Sequence, residues 1–180
     1  MAELSGSVWV SRFPTSAATA DLLASFRTSV DSFVGALQAG GASVSISATL
    51  RPPERAYLMH YAWKIAHENR DAATVPAMAG VDIEWVHRHA NGTVNAGAAR
   101  VAANVMVSGY GIVFAPALSS RHSEGRAIDM TISGFSGKTF KNAAGEDVVV
   151  NSAANLHALG ATYSVRKLPS DPPHWSDDGH

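Results

Sequence analysis

Hydrophobic periodicity switches between helical and strand spacing along this chain of 180 residues, and that order of switches restricts the fold more than any other feature. Leu22, Leu23, Phe26, Val30, Phe33, Val34 and Leu37 recur at helical spacing, and Gly40-Gly41 then act as a stop. The pattern predicts an amphipathic helix over about residues 18–39. Directly afterwards Val44, Ile46, Ala48 and Leu50 alternate with Ser and Thr, the period of a half-buried strand that ends at Arg51. Pro52-Pro53 can open a second helix, because proline is tolerated in a first turn, and Tyr57, Leu58, Tyr61, Ala62 and Ile65 supply its buried stripe. Residues 71–81 read as a surface connection and a short helical piece surrounds Trp85. An Ala-rich helix then covers about 95–108, ended by Gly109 and Gly111.

Beyond Gly111 the strand signals gather. Residues 127–132 form one strand, Val148–Val150 another and Tyr163–Val165 a last one, with turns at Gly134 and Gly137. A short helix runs from Asn151 to Leu159 and is capped by Gly160. Helices first and a small, mostly antiparallel sheet later make an α+β fold. The length suits one domain spanning residues 1–180.

Bulk composition removes several classes of function. A formal net charge of −1 offers no broad basic field for nucleic acid or an anionic membrane. The absence of cysteine excludes disulfides and thiolate metal sites, so any metal must be held by His, Asp or Glu. The N-terminal stretch lacks the basic and apolar regions of a secretory signal, and no apolar run is long enough to span a bilayer. The expectation is synthesis in the cytoplasm, with release or delivery by a partner if the substrate lies outside.

One residue stands out against its surroundings. Asp129 is flanked by Ile128 and Met130 within an apolar strand, where a carboxylate is costly to bury unless paired or bound to a cation. His122 lies seven residues earlier in a loop, and Ser170-Asp171-Pro172-Pro173-His174-Trp175 supplies a second histidine with a carboxylate beside it. His122, Asp129 and His174 are then three candidate ligands, and three protein ligands with an open position are the arrangement of catalytic zinc. Such an ion polarises a scissile carbonyl and acidifies water, and Asp171 is the candidate general base. Pro172 biases Asp171 toward an extended conformation. A polyproline II run would put Asp171 and His174 on one side, and a turn would bring them closer still. Arg51 at a strand end is the best-placed partner for an oxyanion, with Arg121 and Arg126 as weaker contenders.

The pattern Ser120-x-His122-x-x-Gly125-x-Ala127-x-Asp129, followed by Asp171-x-x-His174-Trp175, resembles the zinc D-alanyl-D-alanine carboxypeptidase family. That family includes vancomycin-resistance carboxypeptidases and dipeptidases and phage endolysins of the L-Ala-D-Glu peptidase type, and shares its core with the hedgehog signalling domain. The resemblance covers roughly residues 44–176. It implies a hedgehog/DD-peptidase-like fold and one catalytic zinc ion on His122, Asp129 and His174. It further implies Asp171 as base, Arg51 against the transition state, and a peptidoglycan stem peptide as substrate. Ser120 and Trp175 are the expected substrate-side residues, Ser120 through a hydrogen bond to a ligand or a turn and Trp175, a residue type most often used for packing, as a wall of the cleft. The expected lytic role is phage-type, or that of an effector delivered into other cells. Two departures bear on substrate preference: Leu50 stands where many relatives have an aromatic residue, and the chain runs six residues past His174.

Plainer readings exist for each residue. Asp171 before prolines is also a common turn residue, and Arg51 can pair with Glu54 at the helix start. His60 and His67 read as surface positions, His87-x-His89 as an adventitious metal pair at most, and His157 and His180 carry no signal. Tyr57, Tyr61 and Trp63 read as helix core or surface rather than a sugar platform.

Overall fold

A computed structural model describes residues 2–180 of the chain. In order it contains β1 (Glu3–Leu4), α1 (Ala24–Ala39), β2 (Ser43–Ala48), α2 (Pro53–His67), β3 (Ile83–Glu84) and α3 (Ala96–Tyr110). Then follow β4 (Ala127–Ser133), β5 (Lys138–Lys141), β6 (Asp147–Val150), α4 (Ala153–Thr162), β7 (Arg166–Lys167) and β8 (His174–Ser176). The class is α+β, with pairing that is mostly antiparallel. The chain divides into two compact units, residues 1–14 with 52–119 and residues 15–51 with 120–180.

In the first unit α2 and α3 pack through Leu58, Tyr61, Ile65, Ala103 and Met106, with Trp9 buried among them. The helix expected around Trp85 is replaced by an extended segment. Its main chain pairs in parallel with β1, the Ser5 amide donating to the Glu84 carbonyl at 2.8 Å. Trp85 is nevertheless buried, its indole N–H donating to the Tyr57 hydroxyl at 3.2 Å. Gly109 does not end α3; Gly111 does, in the left-handed conformation at φ 66°.

The second unit is a four-stranded sheet in the order β2-β4-β8-β7, accompanied by the β5-β6 hairpin. Strand alternation puts Ile128, Met130 and Trp175 on its inner face, against Phe33 and Leu37 of α1 and Leu156 and Leu159 of α4. Each such fully buried side chain contributes about 2 kcal/mol relative to exposure. The expected helix over about 18–39 begins only at Ala24. The Leu23 amide donates to the Gly125 carbonyl at 2.9 Å, so the chain before α1 is committed to the loop ahead of β4. Two further corrections concern short elements. The strand expected at Tyr163–Val165 lies at Arg166–Lys167, because Ser164 takes a positive φ of 61° as the chain leaves α4. Gly160 is inside α4 rather than its cap.

Gly160 is required there by crowding. A Cβ at this position would sit 2.7 Å from Trp175 Cζ3, 2.7 Å from the Val165 carbonyl oxygen and 3.2 Å from Phe33 Cζ. Two of those atoms belong to the packed core, so a methyl group has no room to settle. We expect Gly160→Ala to destabilise the protein by about 1–3 kcal/mol in urea denaturation. Gly35→Ala, on the open side of α1 where nothing lies within 4 Å, should instead stabilise it by roughly 0.5–1 kcal/mol.

Candidate metal centre

β4 and β8 pair antiparallel with Asp129 directly opposite His174, which places both side chains on one face of the sheet. His122 arrives from the loop before β4. In that loop the Ser120 amide donates to Ser123 Oγ at 2.8 Å, and the Ser123 hydroxyl donates to the Ser120 carbonyl at 2.8 Å. The His122 carbonyl accepts from the Gly125 amide at 3.3 Å and from the Arg51 amide at 3.0 Å. Gly125 has a φ of 68°, and any Cβ there would stand 2.9 Å from the Leu23 main-chain nitrogen. Only glycine lets the loop close against the start of α1 and still deliver His122.

Three atoms converge. His122 Nε2 is 3.1 Å from Asp129 Oδ1 and 3.2 Å from His174 Nδ1, and the third edge, His174 Nδ1 to Asp129 Oδ1, is 3.3 Å. Both histidines are buried and Asp129 is half-buried. The outward nitrogens fix what the inward ones carry. His122 Nδ1 lies 2.7 Å from the Thr49 carbonyl oxygen and His174 Nε2 lies 3.2 Å from the main-chain oxygen of His180. A carbonyl only accepts, so each of these nitrogens bears a proton, and the neutral imidazoles aim lone pairs at the carboxylate. Three acceptors within such distances need a proton or a cation among them. The cluster can hold a metal ion, and among the described residues it is the one group of three such side chains brought together in this way.

Without a metal, protons serve. Burial alone would raise the Asp129 pKa, but hydrogen bonds and charge from His122 and His174 outweigh it and hold the carboxyl well below its usual range. Burial likewise opposes charge on His174, and the bonds to Asp129 and His180 overcome that and raise its pKa.

Asp171 and His174 lie in a turn rather than a polyproline run, the His174 amide donating to the Asp171 carbonyl at 3.1 Å. The ammonium of Lys167, a residue the sequence did not single out, organises this loop. It donates to the carbonyls of Leu168 at 2.5 Å, His174 at 3.1 Å and Asp171. Burial lowers the Lys167 pKa against the opposing pull of Asp171 and Asp129. The segment after His174 also has a role. Arg121 pairs with Asp178, Arg126 Nη1 with Asp177 Oδ2 at 2.9 Å, and Ser176 Oγ accepts from the Gly179 and His180 amides at 2.8 and 3.0 Å. These contacts place the oxygen that orients His174. The complementary pairs Arg121/Arg126 and Asp177/Asp178 were the signal available in the sequence.

The remaining candidates are distributed unevenly. Arg51 is half-buried and tied to His122 through its amide. Ser120 bonds within its own turn. Trp175 is not beside the ligands: its ring lies in the core 5.5 Å from Phe33 and edge-on to His157 at 5.6 Å, on the opposite face of β8 from His174. Arg121 and Arg126 are engaged with carboxylates. His87 Nε2 meets Ser5 Oγ at 3.0 Å while His89 Nδ1 faces Asn95, so the His-x-His pair does not converge.

Two outcomes are expected. Asp178→Ala should weaken divalent-metal affinity about 10-fold or more in chelator competition, with little change in the melting temperature of the metal-free protein. In that metal-free protein, the raised His174 pKa stabilises below about pH 6.5 and this is lost as pH rises through the folded value. The depressed Asp129 pKa stabilises above about pH 4 and this is lost as pH falls. Melting temperatures should therefore show a contribution from this pair that is greatest between about pH 4 and 6.5, whereas metal affinity rises with pH as the His174 proton leaves. No protein-family model and no curated protein matches the chain.

Proposed function

We propose that this chain is a zinc-dependent peptidase that hydrolyses a peptide bond in peptidoglycan stem peptides. The observation that carries the reading is the triangle of His122 Nε2, Asp129 Oδ1 and His174 Nδ1, with edges of 3.1, 3.2 and 3.3 Å. Ligand atoms at ordinary zinc distances and tetrahedral angles stand about 3.3 Å apart. A fourth position is left open by a set of three, as hydrolytic zinc requires. The His/Asp/His chemistry suits zinc among the divalent metals. The resemblance of the Ser120–Asp129 and Asp171–Trp175 patterns to the D-alanyl-D-alanine carboxypeptidase family supplies the substrate class. An antiparallel sheet backed by helices is compatible with a hedgehog/DD-peptidase-like fold.

Zinc bound there supplies a Lewis acid that polarises the scissile carbonyl and lowers the pKa of water. Asp171 takes the proton from the attacking water and returns it to the leaving amine. In support of that pairing, Asp171 and His174 share one turn, the His174 amide donating to the Asp171 carbonyl, and the Lys167 ammonium donates to the carbonyls of both. Arg51 balances the negative charge that develops on the carbonyl oxygen. Its main-chain bond to the His122 carbonyl links the strand end after β2 to the ligand loop. The biological setting that fits is lytic, either phage-type or as a delivered effector, acting on the wall with the help of a partner that releases or carries it.

The test is mass spectrometry of defined muropeptides incubated with the purified protein, with and without chelator and added zinc. We expect a mass loss that chelator abolishes, zinc restores and Asp171→Ala reduces at least 100-fold. Loss of one alanine identifies a carboxypeptidase, and a split stem identifies an endopeptidase. Intact muropeptides from a protein that holds one zinc would sink wall cleavage in favour of a binding module or a small D-amino-acid dipeptide substrate.

A further inference from the structure

Of the three residues of the cluster only Asp129 lies on β4, in the first half of the strand, where β8 runs alongside. β8 pairs with Ala127, Ile128 and Asp129 and then gives way to Pro173, whose carbonyl accepts from the Met130 amide at 2.9 Å. Along a strand, the N–H and C=O of alternate residues point to the same side. The Ile132 amide and carbonyl therefore aim the same way as the Met130 amide, past the point where β8 ends. On that side β4 has no strand neighbour other than β8, and no main-chain partner meets Ile132 there among the described residues.

Beside this edge lies a cleft of about 460 Å³. Met130 and Trp175 form its floor, with Phe135, Leu156, His157 and Pro172 around it. Lys167 is its one lining residue with a formal charge, and burial keeps the His157 imidazole's pKa below its usual value. An apolar trough beside a free donor and acceptor on one strand edge is suited to an extended peptide. The backbone pairs with the edge, and every second side chain enters the trough.

We infer that a peptide substrate binds by adding to β4 at Ile132 as an extra strand, in line with β8, with an apolar or anionic side chain in the cleft over Trp175. This rests on the peptidase reading for the identity of the peptide. Ile132 is three residues beyond Asp129, about 10 Å along the strand. The bound segment therefore lies about three residues from the bond at the metal centre. A dipeptide is too short to reach both, so the edge selects longer chains. Trp175 returns to the substrate here from the opposite face of β8, as the floor of this subsite rather than a wall beside the metal.

The experiment uses the zinc-loaded full chain and a synthetic stem tetrapeptide. Amide hydrogen exchange at Ile132 should slow at least 10-fold when the peptide saturates Asp171→Ala, the variant that leaves it uncut. In the otherwise unaltered protein, Ala153→Phe fills the cleft from its exposed rim. It should raise KM at least 10-fold with kcat within about twofold and zinc stoichiometry unchanged. Replacing one amide of the peptide by an ester should lower kcat/KM about 10-fold only at the position that faces the Ile132 carbonyl. Cleavage of the tetrapeptide with Ile132 exchange unaltered and Ala153→Phe silent would overturn the added strand while leaving the peptidase intact. Slowed exchange at Ile132 without any cleavage by the unaltered protein would support the edge site and sink the peptidase instead.

Discussion

Everything around the centre answers to one carboxylate held in the middle of an apolar strand. Ile128 and Met130 must face the core, so Asp129 between them must face the other way, half-buried, where an unpartnered charge would cost several kcal/mol. Two imidazoles meet it. One comes from the strand directly opposite and the other from a loop, and each needs its own support. The sheet aligns β8, Gly125 lets the loop close on the start of α1, and the Thr49 carbonyl sets the His122 tautomer. Fold and centre are therefore one problem, solved by the same few contacts.

The supporting groups are mainly main-chain oxygens. Thr49 and His180 each accept from a ring nitrogen, and three carbonyls of the 168–174 loop surround the Lys167 ammonium. Groups of this kind hold position through the backbone, and they cannot be altered by a single side-chain replacement without reshaping a turn. The ionic contacts of Arg121 and Arg126 with Asp177 and Asp178 act farther out and are partly open to solvent. Their value lies in geometry more than in stability, since exposed pairs contribute about 0–1 kcal/mol each.

The sequence reading reached different depths in different places. α1, α2, α3 and β4 were legible because their periodicity is clear, and Asp129 stood out as a charge placed where periodicity allows none, with His122 and His174 drawn from the two motifs that flank it. The start of α1 was misplaced because Leu22 and Leu23 lie in an extended segment, Leu22 buried and the Leu23 amide bonded to Gly125, a contact about 100 residues away in sequence. The segment at Trp85 was read as helix because one buried aromatic has no period, and its extended form depends on pairing with the distant β1. β8 was hidden by the two prolines that precede it and by its three-residue length. Strand parity decides between the two readings of Trp175 beside the cluster: its neighbour His174 faces Asp129, so the tryptophan packs into the core. Lys167 and Thr49 act through contacts that no local pattern encodes.

The opposition of Asp129 to His174 also has a consequence for how the chain finds its structure. If β8 slid by one residue along β4, parity would swing Trp175 out of the core and carry His174 into it. Both the aromatic packing and the three-atom cluster would disappear in the same step. A metal ion held by this cluster would therefore be bound by one alignment of these strands and by no neighbouring one. Such an ion would act as a proofreader of the pairing, adding its binding energy only to chains that have already matched the two strands correctly.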